Sequence, residues 1–180
     1  MPNRSPLAAV LVLLAAAGAC PAADWRDRLA ADLPLFGHRN WIVIADSAYP
    51  AQSRPGVEVV ATEADHLEVV RAVFEAIDRS RHVRPVVFTD AELKFVPEAD
   101  ARGVTAYRRD LGKLLAKRAP TDVPHEELLS RLDKAGASYR VLVLKTNLAV
   151  PYTSVFIQLD CGYWSPEAEK RLREAMKAGQ

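Results

Sequence analysis

Four histidines, His38, His66, His82 and His125, are the side chains of this sequence that titrate near neutrality. Two of them stand beside other residues able to do chemistry. His38 follows Gly37 and precedes the apolar run Trp41-Ile-Val-Ile-Ala45, which Asp46 closes. In open α/β sheets ligands gather outside the carboxyl ends of strands, so Asp46 is well placed to hold a polar ligand. Its plainer role is to cap the turn before Pro50. His125 falls in Val-Pro-His-Glu-Glu, at the start of a helix. There the helix dipole disfavours an imidazolium, while Glu126 and Glu127 favour one. Pro151-Tyr152-Thr153-Ser154 enters the last strand with three hydroxyls. Such neutral, directional donors and acceptors suit sugar hydroxyls better than phosphates, although a structural Tyr at a strand entrance is the simpler reading. His66 and His82 read as solvated surface residues.

The spacing of His38 and Asp46 carries a consequence. A strand advances about 3.3 Å per residue, so the two stand about 20 Å apart within one chain. No small ligand spans that gap. If both act on one ligand, two copies of the chain supply them, and the protein is an oligomer with sites at subunit boundaries.

The elements that must position these residues follow from hydrophobic spacing. Asp24 to Leu35 reads as a short helix with Trp25, Leu29 and Leu33 on one face. Residues 41–45 form a strand covered on both faces, and Val57–Ala61 a second. Thr62 with Asp65 resembles a capping box ahead of a helix carrying Leu67, Val70, Val73, Phe74 and Ile77. Residues 85–88 are a third strand, and Thr89 to Gly103 is irregular. Helices follow around Tyr107–Leu115 and Leu128–Leu132, the latter stopped by Gly136. Tyr139–Leu144 and Ser154–Leu159 are the last strands, and Ser165-Pro166-Glu167 opens a charged terminal helix with Leu172 and Met176 inward. Strands alternating with helices predict a single α/β domain, a mostly parallel sheet with helices on its faces.

Composition narrows the function. The 180 residues carry 24 Lys and Arg against 23 Asp and Glu, a formal charge of +1, so no basic excess points to nucleic acid. Two cysteines exclude a disulfide scaffold or a four-ligand zinc site. There is no phosphate-binding glycine loop, no nucleophile elbow and no His-Glu-x-x-His helix, and no nucleophile stands beside a base. Residues 1–23 read as an export signal: Arg4, an uncharged run from Leu7 to Ala19, then small residues. Cys20 after those small residues also resembles a lipoprotein box, which would tether the protein by a lipid. The expected compartment is the cell envelope, periplasmic or lipid-anchored, with residues 24–180 as the folded domain.

The stretch Gly37-His38-Arg-Asn-Trp-Ile-Val-Ile-Ala-Asp46-Ser-Ala-Tyr-Pro50-Ala51-Gln-Ser53 resembles the N-terminal signature of the ribose pyranase/fucose mutarotase family. His125-Glu126-Glu127-Leu128, the strand over Arg140–Thr146 and Tyr152-Thr-Ser154 are similar to its later motifs. The order holds over residues 30–162. The resemblance implies a small α/β protein in pentameric rings, often stacked as decamers, that interconverts monosaccharide anomers or ring forms without cofactor or metal. It implies His38 as the proton-transferring residue and Asp46, His125, Tyr152 and Ser154 as sugar contacts. Ser154 stands where that family has Asn, and Thr146-Asn147-Leu148 replaces its Gly-Glu step. These departures keep open a ring protein that binds sugar without catalysis, or one that serves only a structural role.

Overall fold

The computed structural model describes residues 24–179. The expected leader, residues 1–23 with Cys20, lies outside them. Along the chain run α1 (Trp25–Asp32), β1 (Trp41–Ala45), β2 (Val57–Ala61), α2 (His66–Arg79), β3 (Val83–Asp90), α3 (Val104–Leu115), β4 (Thr121–Val123), α4 (His125–Gly136), β5 (Val141–Lys145), β6 (Val155–Cys161) and α5 (Pro166–Ala178). Short 3-10 turns follow α1, at Leu33–Leu35, and β3, at Ala91–Phe95.

The six strands form one sheet in the order β2-β5-β1-β6-β3-β4. All pairings are parallel except those of β6, which runs antiparallel between β1 and β3. The α/β domain and mostly parallel sheet read from the sequence are therefore the observed architecture. β1 is buried at all five positions, as a central strand with both faces covered must be. Its pleat sends Ile42 and Ile44 into a core with α1, α2 and α3. Trp41, Val43 and Ala45 face the opposite core, which α4 closes through Leu128 and Leu132. With β1 pinned between two cores, its ends are fixed: His38 and Asp46 belong to opposite ends of the sheet.

Several expectations need correction. The cap of α2 is Asp65, whose carboxylate accepts from the Glu68 N–H; the Thr62 hydroxyl instead donates to the Lys145 carbonyl. Gly136 does not stop α4 but sits in its last turn, where a Cβ would come within 2.7 Å of Val57 Cγ2. Close approach to β2 therefore selects glycine there. Leu172 and Met176 are 43% and 50% exposed, because among the described residues no element packs over α5, which buries no residue. The three-residue β4 and the 3-10 turn at 91–95 lie where the sequence reads as irregular or as a helix start.

Candidate functional site

β1 delivers Asp46 to the carboxyl end of the sheet, where it begins a turn. Its Oδ1 accepts from the Ala48 N–H at 2.7 Å and its carbonyl from the Tyr49 N–H. The capping role and the ligand-facing position coexist, since the same carboxylate lines a cavity of about 420 Å³. His125 and Tyr152 line that cavity as well. Residues 46, 125 and 152, far apart in sequence, thus meet because β1 ends, α4 begins and the β5–β6 connection passes on this side.

His125 is the first residue of α4. Both carboxylate oxygens of Glu92 accept from its backbone N–H, at 3.0 and 3.1 Å. Its Nδ1 lies 3.0 Å from Asp90 Oδ1, and toward an ionised Asp90 it is the Nδ1–H that donates. Asp90 is the last residue of β3, and its side chain is 0% exposed. Burial pushes the Asp90 carboxyl above its ordinary value, with the His125 bond pulling it back. That same bond, stronger than the opposing cost of partial burial, raises His125 above the usual histidine value. The contest between helix dipole and flanking glutamates, left open by the sequence, is thus decided by a third residue.

Tyr152 stands edge-on to the His125 ring, centroids 5.6 Å apart at 85°. Its φ of 58° is left-handed, a conformation that a bulky side chain rarely adopts and that costs on the order of 1 kcal/mol. The neighbouring peptide is held from inside the fold, where the Tyr107 hydroxyl bonds the Thr153 carbonyl at 3.0 Å. The same hydroxyl meets His66 Nδ1 at 3.1 Å, and His66 Nε2 faces the Ile44 carbonyl at 3.3 Å. His66 is therefore no surface residue but 1% exposed, and burial pushes it down to about 4. Tyr49, at the cavity wall, is pushed up to about 12, chiefly by burial.

Ser154 sits one residue before β6 and is 2% exposed; among the described residues its Oγ has no hydrogen-bond partner. It is not among the residues lining the cavity. His38, exposed, borders a different cavity of about 750 Å³ at the amino end of the sheet, with Arg84, Asp160 and Trp164. His82 lines it too and is half-buried rather than solvated: its Nε2 approaches the Leu33 and Phe36 carbonyls and its Nδ1 the Ser80 hydroxyl. One protomer therefore brings together three of the five expected residues, Asp46, His125 and Tyr152. Asp90 and Glu92 were missed. The rule that singled out Asp46, a carboxylate closing an apolar strand, applies equally to Asp90 after Val86-Val87-Phe88-Thr89. Among the described residues no three His, Cys, Asp or Glu side chains gather as a metal site would require.

Neither a protein-family model nor a curated protein matches the sequence. Solved structures do. RbsD of Bacillus subtilis, complexed with D-ribose, superposes with a TM-score of 0.53 at 20% identity, over 74% of this chain and 91% of that one. The fucose mutarotase of Streptococcus pneumoniae, in complex with L-fucose, gives 0.50 at 14% identity, over 74% and 91%. The fold is theirs. It places the sheet, and with it both ends of β1, in the same architecture as two sugar-bound proteins.

Proposed function

We propose that this protein binds a free monosaccharide in the carboxyl-end cavity and interconverts its anomers or ring forms by proton transfer. The observation that carries the reading is the convergence of Asp46, His125 and Tyr152 on one cavity, in a fold whose solved relatives hold D-ribose and L-fucose. A carboxylate, an imidazole and a phenol are the donors and acceptors that sugar hydroxyls require. Opening a hemiacetal takes a proton to the ring oxygen and removes one from the anomeric hydroxyl; no electron is transferred, so no redox group is needed. His38 is the proposed acid/base, and Ser154, two residues beyond Tyr152, a further proposed contact. Since His38 lies at the far end of the sheet, it reaches the sugar only from an adjoining copy, which makes a ring-shaped homo-oligomer, pentamer or decamer, part of the proposal. The export-signal reading of residues 1–23 supports an assembly in the cell envelope, free in the periplasm or anchored through a lipid on Cys20.

Exchange NMR on fucose, ribose and galactose at anomeric equilibrium tests the reading. The wild type is expected to accelerate exchange of one sugar and His38→Ala to abolish the acceleration, with light scattering reporting an oligomer for both. Saturable binding with no acceleration would leave a sugar-binding protein only. Neither binding nor acceleration with any of the three sugars would end the proposal.

A further inference from the structure

The geometry points to His125 and Asp90 as a proton-transfer dyad, with His125 a second catalytic acid/base facing the sugar and Asp90 the residue that positions it. The inference rests on the sugar-interconverting reading above and adds to it the identity of a second proton-transfer group.

Several other carboxylates in this chain serve structure. Glu98 caps the start of α3 with both oxygens, on the Gly103 and Thr105 N–H groups, and Asp65 caps α2. Asp160 is held by two nitrogens of Arg84, and Glu92 spends both oxygens on the His125 backbone. Asp90 is different. It is the most deeply buried of them, and among the described residues its Oδ1 has one partner, the His125 ring, and its Oδ2 has none. Burying a carboxylate that is half unsatisfied is costly, and a merely structural role would be filled as well by Asn or Leu. What the arrangement does accomplish is orientation. Glu92 fixes the backbone of His125 from one side, Asp90 fixes its Nδ1, and Tyr152 stands against the ring edge. Nε2 is left without a protein partner among the described residues, on a ring that lines the cavity. A carboxylate behind an imidazole selects the tautomer and stabilises the imidazolium.

In the resulting step, protonated His125 gives its Nε2 proton to the sugar ring oxygen. The bond between the anomeric carbon and that oxygen breaks, its electron pair going to the oxygen, as the anomeric hydroxyl gives its proton to the neutral His38 of an adjoining copy. The anomeric carbonyl forms. After rotation the same transfers run backwards, and both imidazoles return to their starting states.

Asp90→Asn keeps the shape of the side chain and removes its charge. The charged groups facing His125 are Asp90 from β3, Glu92 from the turn after it, Glu126 on its own helix and Asp46 across the cavity. Only Asp90 touches the ring. In the full-length protein, D90N is expected to lower the maximal exchange rate at least about tenfold. Half-saturating sugar should stay within about twofold of wild type. The His125 ring-proton titration should fall back toward the ordinary histidine value, and the alkaline limb of the rate profile, where the proton donor is lost, should move to lower pH with it. His125→Gln, at a half-exposed position, should lose at least as much of the maximal rate, and it serves as the measure should D90N not fold. An unmoved titration, an unchanged rate, or a loss confined to half-saturation overturns the dyad. Absence of exchange in the wild type overturns the sugar-interconverting reading itself, and the D90N titration then still shows whether the two residues are coupled.

Discussion

At the carboxyl end of the sheet a histidine meets a carboxylate that is sealed from water, and among the described residues no Lys or Arg lines the cavity beside them. At the amino end His38 also has carboxylates nearby, but each is matched by a guanidinium: Asp160 by Arg84 and Glu169 by Arg173. Those partners are largely solvated. Although burial works against it, the Arg84 bonds hold the Asp160 carboxyl below its ordinary value. Residue types alone make the two ends look alike. What separates them is the number of partners per charge and the access of water, because an ion pair in water is screened whereas one in a low-dielectric pocket is not. The carboxyl end can therefore hold a proton in an unusual place, and the amino end lends its exposed imidazole to whatever docks there.

The largest effect expected of this contrast is on acid stability. His66, beneath the carboxyl end, is about 4 in the folded chain against an ordinary 6.5. The unfolded chain thus binds the extra proton between those values, so stability is full above pH 6.5 and falls as pH drops toward 4. The shift corresponds to about 3 kcal/mol. Urea denaturation across this range should show the loss, and His66→Asn should flatten it. His125 has the opposite sign: its contribution is present below 6.5 and fades as pH rises through its raised value. A wild-type profile flat from pH 7 to 4 would put water around His66 and remove the contrast.

Next in size is the hydroxyl that ties His66 to the cavity. Tyr107→Phe leaves the Thr153 carbonyl and His66 Nδ1 without their shared partner. Unsatisfied buried groups cost about 1–3 kcal/mol, measurable by denaturation at pH 7. Because Tyr152 is held in a left-handed conformation next to that carbonyl, sugar affinity should weaken in the same variant. A loss below about 0.5 kcal/mol would mean that the interior wall of the cavity is not what holds it.

Much of this fold is legible in the residues. The unbroken apolar run 41–45 can only be a strand with two covered faces, and Asp46 at its end is where an α/β sheet presents a ligand group. His125 and Tyr152 are also legible, being polar residues at the starts of α4 and β6. The misses have physical causes. His66 begins the stripe that continues through Val70, Val73 and Ile77, but a titratable residue in a first turn reads as solvated unless its helix is known to dive into the core. Asp90 was hidden by strand length: β3 runs two residues beyond the expected 85–88 at each end, to Val83 and to Asp90. Its partner lies 35 residues on, and such pairings follow from tertiary packing rather than local pattern. Leu172 and Met176 show the reverse error, since helical spacing in α5 says which face is apolar but not whether anything covers it.

The smallest effect belongs to the amino end, and it is the one that sharpens the contrast. Arg84 and Asp160 form a close, two-pronged pair, yet their side chains are 40% and 35% exposed. Exposed pairs of this kind contribute less than about 1 kcal/mol, because water solvates each partner when the other is lost. Arg84→Ala should therefore shift the urea midpoint slightly, and by less still in 1 M salt, where the Debye length is about 3 Å. Set beside Tyr107→Phe, it compares one neutral hydroxyl in the interior with a full ion pair at the surface. The hydroxyl should win. If Arg84→Ala instead cost 2 kcal/mol or more by the same measurement, on the order of a buried pair's partner loss, the amino end would be as sealed as the carboxyl end. The account of how the two ends differ would then have to rest on something other than water.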